Sequence, residues 1–159
     1  GHGGSAQTRG APSVAAHLAH ARVDRETGEI TLLAHVIAQD VGRALNPALV
    51  EGQMRGGAAQ GIGWALYEEL VHDENGQLLT GSFLDYAIPL AERVPDIDTL
   101  IVEVPAPDGP FGAKGIGEAP VIAAAPAIAN AVAAAVGIRL RELPMTAPRV
   151  WATLEESGA

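Results

Sequence analysis

The chain is organised around one glycine-rich stretch, Gly109-Pro110-Phe111-Gly112-Ala113-Lys114-Gly115-Ile116-Gly117-Glu118-Ala119-Pro120. Its glycines at positions 112, 115 and 117 can adopt positive φ angles and let the backbone approach another group closely. Pro120 is a favoured first residue of a helix, and an apolar run follows it from Val121 to Val136. The pattern therefore predicts a tight loop that ends at a helix, with Glu118 at or just before the first turn.

The carboxylate of Glu118 has two interpretations. Exposed N–H groups and the dipole at a helix N-terminus favour its charged form, by about 0.3 to 1 kcal/mol at a surface site. An ionised carboxylate in that place can cap the helix or act as a general base, and the residues alone favour the cap. Two nucleotide-binding motifs are excluded. The glycine spacing is not the dinucleotide fingerprint, and Lys114 lacks both the preceding glycine and the following Ser or Thr of a phosphate loop.

Composition limits the kinds of partner. The 159 residues suffice for one domain with a core, and the net charge of −9 argues against nucleic acid and anionic membranes. The chain contains no cysteine, so it has no disulfide, no thiolate nucleophile and no iron–sulfur ligand of its own. If electrons move here, another polypeptide must carry them away.

The N-terminal part predicts a flexible leader at 1–13 followed by a β-hairpin. Val14 to Val23 and Glu29 to Gln39 are β-prone runs, and Asp24 to Gly28 between them is a good turn. Three histidines lie on or near the hairpin: His17, His20 and His35. The first two do not share a strand face and nothing completes a ligand set, so core or solvated histidines are favoured over a metal site.

A long helix is predicted from Ala48 to Val71, with Asn46 as its cap and Pro47 in its first turn. It contains five glycines, each of which costs up to about 1 kcal/mol relative to alanine. Three of them recur at helical spacing and predict a smooth face for a backbone or a flat ligand: Gly52, Gly56 and Gly63. Gln53 and Gln60 share another face. Their amides suit the edge of a heterocycle and buried main chain equally well.

The remaining segments complete an α+β chain of hairpins and a mixed sheet packed with a Gly-rich helix and an Ala-rich helix. Extended segments are predicted at Gln77–Thr80, Phe83–Pro89, Thr99–Val104 and Ile138–Leu143. The Ala-rich helix should stop at Gly137 and hold Pro126 in its first turns or at a kink. Thr146 should cap a short terminal helix.

Several stretches together resemble one family. They are Val23-Asp24 with Thr27-Gly28-Glu29, Asp40-Val41-Gly42 with Asn46-Pro47, Glu51-Gly52-Gln53 with Gln60-Gly61-Ile62-Gly63, Asp85-Tyr86 with Pro89, Gly112 to Glu118, and Leu143-Pro144-Met145-Thr146. In this order and at this spacing they are strongly specific. From about Val14 to Leu154 the chain resembles the C-terminal part of the molybdopterin-binding (large) subunit of the xanthine oxidase family. That family includes aldehyde oxidases, carbon monoxide dehydrogenase and bacterial isoquinoline- and nicotinate-type hydroxylases. The resemblance implies that 14–156 is a segment of a larger molybdopterin-binding domain.

The resemblance also implies roles for individual residues. Glu118 matches the active-site glutamate of the family, which takes a proton while a water-derived oxygen attacks an electrophilic carbon of an aldehyde or N-heterocycle. Gln53 matches a glutamine that touches the pterin. The other residues expected at the cofactor are Gln60, Lys114, Gly115 and Gly117. No metal ligand is expected from the chain, because the family holds molybdenum through the pterin's dithiolene. On this ground the base is favoured over the cap.

The cofactor implied is a molybdenum-pterin, with or without an added cytosine nucleotide. The partners implied are the remainder of the large subunit, a [2Fe–2S] subunit, often an FAD subunit and a small-molecule substrate, with no nucleic acid and no membrane span. The expected location is cytoplasmic, or periplasmic through a partner's signal. The chain should be inactive alone, as a fragment or as a naturally separate subunit. Two alternatives stay open: a non-catalytic assembly module in which Glu118 only caps a helix, and a stand-alone small-molecule binder.

Overall fold

The computed structural model describes residues 11–158. Within them, three strands form one mixed sheet in the order β1-β2-β3, in which β1 pairs antiparallel with β2 and β2 pairs parallel with β3. The described strands and α-helices are, in chain order, β1 (Ala15–Val23), β2 (Ile30–Asp40), α1 (Pro47–Leu66), β3 (Ile97–Val102), α2 (Ala119–Ile122), α3 (Ala124–Val136) and α4 (Ala147–Ser157). The predicted α+β class with a mixed sheet is therefore confirmed.

The predicted hairpin is present as β1 and β2. Its turn is held by Asp24, whose carboxylate accepts two backbone N–H groups at 2.9 and 3.2 Å. Gly28 has a φ of +75°, and a Cβ there would lie 2.1 Å from the carbonyl oxygen of Ala147, so the turn requires glycine where it meets α4. Residues 1–10 of the predicted leader at 1–13 lie outside the described residues. Ser13 is anchored to the end of β2 through its hydroxyl, at 2.8 Å.

Helices cover one face of the sheet. The main core joins this face to α1, α3 and α4 through buried apolar side chains, among them Ile30, Leu32, Ile62, Leu66, Ile128, Val132, Met145, Val150 and Leu154. A smaller cluster joins the end of β2 to the first turns of α1: Ile37, Val41, Val50 and Met54. Ile116 of the glycine-rich stretch packs against this smaller cluster. The core therefore ties the loop that carries Glu118 to the sheet.

Helix α1 starts as predicted and ends at Leu66 rather than at Val71. Its cap is Asn46, whose side-chain oxygen accepts the N–H of Leu49 at 3.2 Å, and Pro47 occupies the first turn. A capped start and a proline at the first position satisfy the N–H groups that lack helical partners. The beginning of α1, which borders the glycine-rich stretch, is thus determined locally.

Two glycines of α1 make the close contact between helices, and they are not the ones predicted. A Cβ on Gly57 would lie 2.7 Å from the side chain of Pro120 in α2, and a Cβ on Gly61 would lie 2.5 Å from that of Ala124 in α3. Both approaches require glycine. Two of the predicted glycines have no atom within 4 Å of such a Cβ: Gly52 and Gly56. The third, Gly63, faces a side chain just beyond the helix. The predicted face is therefore wrong as a contact face within the described fold.

The alanine-rich segment forms two helices, α2 and α3, with Ala123 between them as a turn residue that keeps right-handed helical dihedral angles. Pro126 lies in the first turn of α3, where its missing N–H would have no helical partner in any case, and α3 ends at Gly137 with a φ of +80°, as predicted. Length and a mean hydropathy of 1.8 would let Ala119–Val136 cross a membrane. In the described fold its apolar stripe is part of the core instead: Ile128, Val132 and Val136.

The predicted strand at Thr99–Val104 is present as β3, slightly earlier in the chain. The predicted strand at Ile138–Leu143 is wrong, because no described strand pairs with this segment and Ile138 and Leu140 pack on the core instead. Strand propensity has its effect only beside a neighbouring strand. Thr146 precedes α4, yet its side chain makes no cap hydrogen bond, so its predicted capping role is also wrong.

Two other segments predicted as extended do not form strands. Ser82 donates its hydroxyl to Asp85 at 2.6 Å and accepts the N–H of Leu84 at 3.2 Å, so the first half of Phe83–Pro89 is a turn. Side-chain hydrogen bonds of this kind compete with extended backbone. Gln77–Thr80 forms only a single β-bridge to the preceding segment.

Candidate functional site

The last residue of β2, Asp40, joins three segments at one end of the sheet. One carboxylate oxygen accepts the N–H groups of Gly42 at 2.9 Å and Val104 at 3.2 Å, and the other lies 2.5 Å from Nζ of Lys114. The side chains of Asp40 and Lys114 are only 14% and 10% exposed, which distinguishes this pair from a surface ion pair. The Lys114 ammonium and the two N–H groups hold the pKa of Asp40 below its ordinary value. The pair therefore fastens the glycine-rich stretch to the sheet.

Backbone hydrogen bonds continue this attachment. The N–H of Lys114 donates to the carbonyl of Val41 at 2.9 Å, and the N–H of Arg43 donates to the carbonyl of Gly112 at 3.0 Å. Gly42 has a φ of +69°, and a Cβ there would lie 2.3 Å from the Gly112 oxygen. The two segments therefore lie so close that position 42 accepts only glycine.

The glycine-rich stretch is also held by α1. Nε2 of Gln53 donates to the carbonyl oxygen of Gly117 at 2.8 Å. Gln53 thus fixes the residue immediately before Glu118. A Cβ placed on Gly115 or Gly117 would meet nothing within 4 Å, so this part of the stretch borders open space on the side away from the core.

A cavity of about 390 Å³ lies between α1 and the glycine-rich stretch. Its polar lining residues are Arg43, Asn46, Gln53, Lys114 and the backbone of Gly117. The structure thus brings together three of the predicted site residues, Gln53, Lys114 and Gly117. Gln60, Gly115 and Glu118 do not line this cavity. Gln60 lies two turns further along α1, and its predicted contact with a cofactor stays a prediction.

Glu118 occupies the N-cap position of α2, but its side chain makes no cap hydrogen bond. The cap role that the residues alone favoured is therefore wrong for the carboxylate. The side chain is exposed, and among the described residues it has neither a hydrogen bond nor an ion pair. It directly follows Gly117, which lines the cavity. A carboxylate presented in this way is available to accept a proton from a group outside the described chain.

The cavity wall is mostly apolar, with a few polar groups that can form hydrogen bonds to a ligand. Gln53 and Asn46 supply amide groups, Arg43 supplies a guanidinium, and the glycines leave the backbone accessible. The described residues contain no cluster of three or more His, Asp or Glu side chains placed to hold a metal ion. The cavity wall therefore offers amide, guanidinium and backbone groups that can form hydrogen bonds to a ligand.

Sequence reasoning missed the Asp40–Lys114 pair and the position of Arg43 on the cavity wall. The sequence Asp40-Val41-Gly42 did contain a signal. An Asp followed two residues later by glycine often accepts a backbone N–H through its carboxylate, as it does here. The partner 74 positions away left no such local signal.

The histidines of the hairpin lie at a separate place, where His17 and His35 form a pair on the covered face of the sheet. Nδ1 of His17 and Nε2 of His35 are 3.0 Å apart, and His35 is fully buried beside the equally buried Gln39. His20, in contrast, is exposed. Burial first, and then the charge of His35, lowers the pKa of His17 to about 4, and burial also lowers the pKa of His35. Both rings are therefore neutral at pH 7.

We expect this pair to make the fold sensitive to acid. Above pH 6.5 these histidines are neutral in both the folded and the unfolded chain. Between pH 6.5 and about 4 only the unfolded chain binds the extra protons, so the free energy of unfolding decreases as the pH is lowered. The loss is about 1 to 2 kcal/mol, because His17 is only partly buried. Thermal unfolding between pH 7.5 and 4.5 measures it. His17→Gln should flatten the dependence and His20→Gln should not; equal slopes for both variants contradict the prediction.

Comparison with known proteins identifies one matching family and several similar chains. Residues 2–95 match the molybdopterin cofactor-binding domain family. The chain is 42% identical over 137 residues to subunit gamma of the 6-hydroxypseudooxynicotine dehydrogenase complex of Paenarthrobacter nicotinovorans, which covers 84% of this chain and 17% of that protein. It is 37% identical over 137 residues to the xanthine dehydrogenase molybdenum-binding subunit of Escherichia coli O157:H7, covering 86% of this chain and 18% of that protein.

Solved structures share the fold. The crystal structure of quinoline 2-oxidoreductase from Pseudomonas putida 86 superposes with a TM-score of 0.83 at 38% identity, over 88% of this chain and 18% of that chain. The chain thus spans less than a fifth of the length of the relatives it matches. The chain belongs to the molybdopterin cofactor-binding domain family and corresponds to a segment of the molybdopterin-binding subunit of the xanthine oxidase family.

Proposed function

We propose that this chain supplies the catalytic base and part of the pterin pocket of a molybdenum hydroxylase. The reaction is the oxidation of an aldehyde or an N-heterocycle with oxygen derived from water. The observation that carries the proposal is the arrangement of the glycine-rich stretch. Gln53 and Lys114 hold it beside a cavity while the carboxylate of Glu118 has no partner among the described residues.

The bound molybdenum-pterin supplies a centre that accepts two electrons. Arg43, Asn46 and Gln53, which line the cavity, would hold the edge of the pterin by hydrogen bonds. Glu118 accepts the proton of the attacking oxygen, for which a base must come within hydrogen-bond distance. The glycines at 115 and 117 have no neighbours at the Cβ position, so they allow the reacting groups to approach.

The wider assembly follows from the same proposal. By its resemblance to the family, we expect electrons to leave through a [2Fe–2S] subunit and often an FAD subunit, in agreement with the absence of cysteine from this chain. The name of the relative from Paenarthrobacter nicotinovorans, a subunit of a complex, supports a multi-subunit enzyme. The remainder of the large subunit completes the site. We expect the enzyme in the cytoplasm, or in the periplasm through a partner's signal, and its molybdenum-pterin with or without an added cytosine nucleotide.

Replacement of Gln53 tests the pocket. In the assembled enzyme, Gln53→Ala should lower turnover per molybdenum by about tenfold or more, because Gly117 and the base that follows it lose their anchor. Molybdenum content should fall as well, since Gln53 lines the cavity that would hold the pterin. Metal analysis and steady-state kinetics on the same preparation measure both effects.

The matched control lies on the same helix. Arg55 is exposed and bonds Glu51 one turn away, outside the cavity. Arg55→Gln should leave both readouts near those of the unmodified enzyme. Equal turnover and equal molybdenum content in the Gln53 and Arg55 variants would contradict a role of Gln53 in the pocket. Tight binding of a pterin or substrate by the chain alone would favour a stand-alone binder instead.

A further inference from the structure

The sheet has one face covered by helices and one bare face. Alternate residues of the three strands point to the bare face, and the register places their apolar members together: Ala16, Leu18, Val36, Ala38, Leu100 and Val102. Leu18 is 60% exposed, Leu100 57% and Val102 44%. We call these six residues the outer patch. No described helix lies over it.

The pattern of the outer patch is unusual for a solvent-facing surface. A sheet with one solvated face normally alternates apolar residues inward with polar residues outward. Here the middle of β2 is apolar on both faces, since Ile37 on the covered side is flanked by Val36 and Ala38 on the bare side. The residues therefore indicate a second covering layer.

The outer patch has the shape of a trough. Its centre lies over β2 and the adjoining part of β1, where the side chains are small: Ala16, Val36 and Ala38. Larger side chains lie on the two outer strands: Leu18 on β1, and Leu100 and Val102 on β3. Two strand spacings separate β1 from β3, about 10 Å, which is also about the diameter of an α-helix with its side chains. The trough therefore accommodates one helix lying on the sheet.

We propose that an amphipathic helix from the remainder of the large subunit packs on the outer patch, making the sheet the middle of three layers. This inference rests on the proposed function, because it takes the chain to be part of a complete subunit. The matched relatives are about five to six times longer than their aligned segments, so they contain ample chain to supply the helix. Its contact face carries apolar residues spaced three and four apart.

A charged residue at the border of the outer patch predicts one more feature of the covering helix. Asp98 lies on the bare face beside Val36, at the start of β3, and is exposed. Among the described residues it has no ion-pair partner. The helix should therefore place a Lys or Arg near this carboxylate, where the covering layer would otherwise desolvate an unpaired charge.

Because this chain contains no cysteine, a cysteine introduced into it gives a labelled peptide that is recognised by its mass. In the complete assembled subunit, Leu18→Cys and Leu100→Cys should react with a maleimide at least about tenfold more slowly in the native state than in urea. Glu74→Cys, in an exposed turn, should react at similar rates in both states. Ala16→Cys is a smaller change and serves if a leucine variant fails to fold. Labelled peptides are quantified by mass spectrometry.

A cross-linker attached at position 100 identifies the occupant. Cross-links to a segment of the large subunit with helical apolar spacing support the proposal. Rapid native labelling at both positions 18 and 100 overturns it, as do cross-links to a second copy, to an iron–sulfur subunit or to an extended strand. Loss of turnover in Glu118→Gln together with rapid labelling would contradict the proposed helix on the outer patch and leave the proposed function intact.

Discussion

Glu118→Gln should abolish turnover of the assembled enzyme while its molybdenum content stays near normal. The amide has almost the same size as the carboxylate but cannot take up the proton, and a positioned general base contributes about 10²- to 10⁴-fold to rate. Because Glu118 does not line the cavity, its replacement should not release the cofactor. Turnover should therefore fall by at least about a hundredfold per molybdenum, as measured by steady-state kinetics and metal analysis.

The same variant distinguishes a role of Glu118 as a general base from a role as a helix cap. If Glu118 served only as a cap, the amide variant would lose about 1 kcal/mol of stability and keep its activity. The absent cap hydrogen bond leads us to expect an unchanged thermal midpoint instead. Asp108→Asn is the matched control, because it neutralises another exposed carboxylate of the same loop. Turnover close to normal in Glu118→Gln would remove this residue from the mechanism.

Gly61→Ala should lower the free energy of unfolding by about 1 to 3 kcal/mol. The new Cβ would lie 2.5 Å from the Cβ of Ala124 and 2.9 Å from the carbonyl oxygen of Val121, so α1 and the α2–α3 segment must move apart. That cost exceeds the gain of up to about 1 kcal/mol that alanine brings within a helix. Denaturant titration of the purified chain measures the change.

Gly56→Ala is the control for the same helix. Its Cβ would meet no atom within 4 Å, so alanine should raise stability by up to about 1 kcal/mol. Opposite signs for positions 56 and 61 are the expected result. A gain at both positions would show that α1 and α3 do not approach each other as closely as the structure places them. Gly57→Ala should resemble Gly61→Ala, because it meets Pro120.

Much of the local structure could be predicted because its causes are local. Asn46 and Pro47 start α1, Gly137 ends α3, and a turn with Gly28 joins β1 to β2, as the residue pattern indicated. The errors arose where a segment needed a distant partner. Ile138–Leu143 has the composition of a strand, but no described strand lies beside it and the core takes its side chains instead.

By itself, then, the sequence determined the positions of the hairpin and the main helices, the α+β class, and the place of Glu118 at the start of a helix. Only the tertiary structure decided that Gly57 and Gly61 carry the helix contact, that Gln53 holds Gly117, and that Asp40 holds Lys114. The last two pairs join residues 64 and 74 positions apart. Propensities, caps and turns act over a few residues, whereas contacts at such separations depend on how the sheet and α1 pack as a whole.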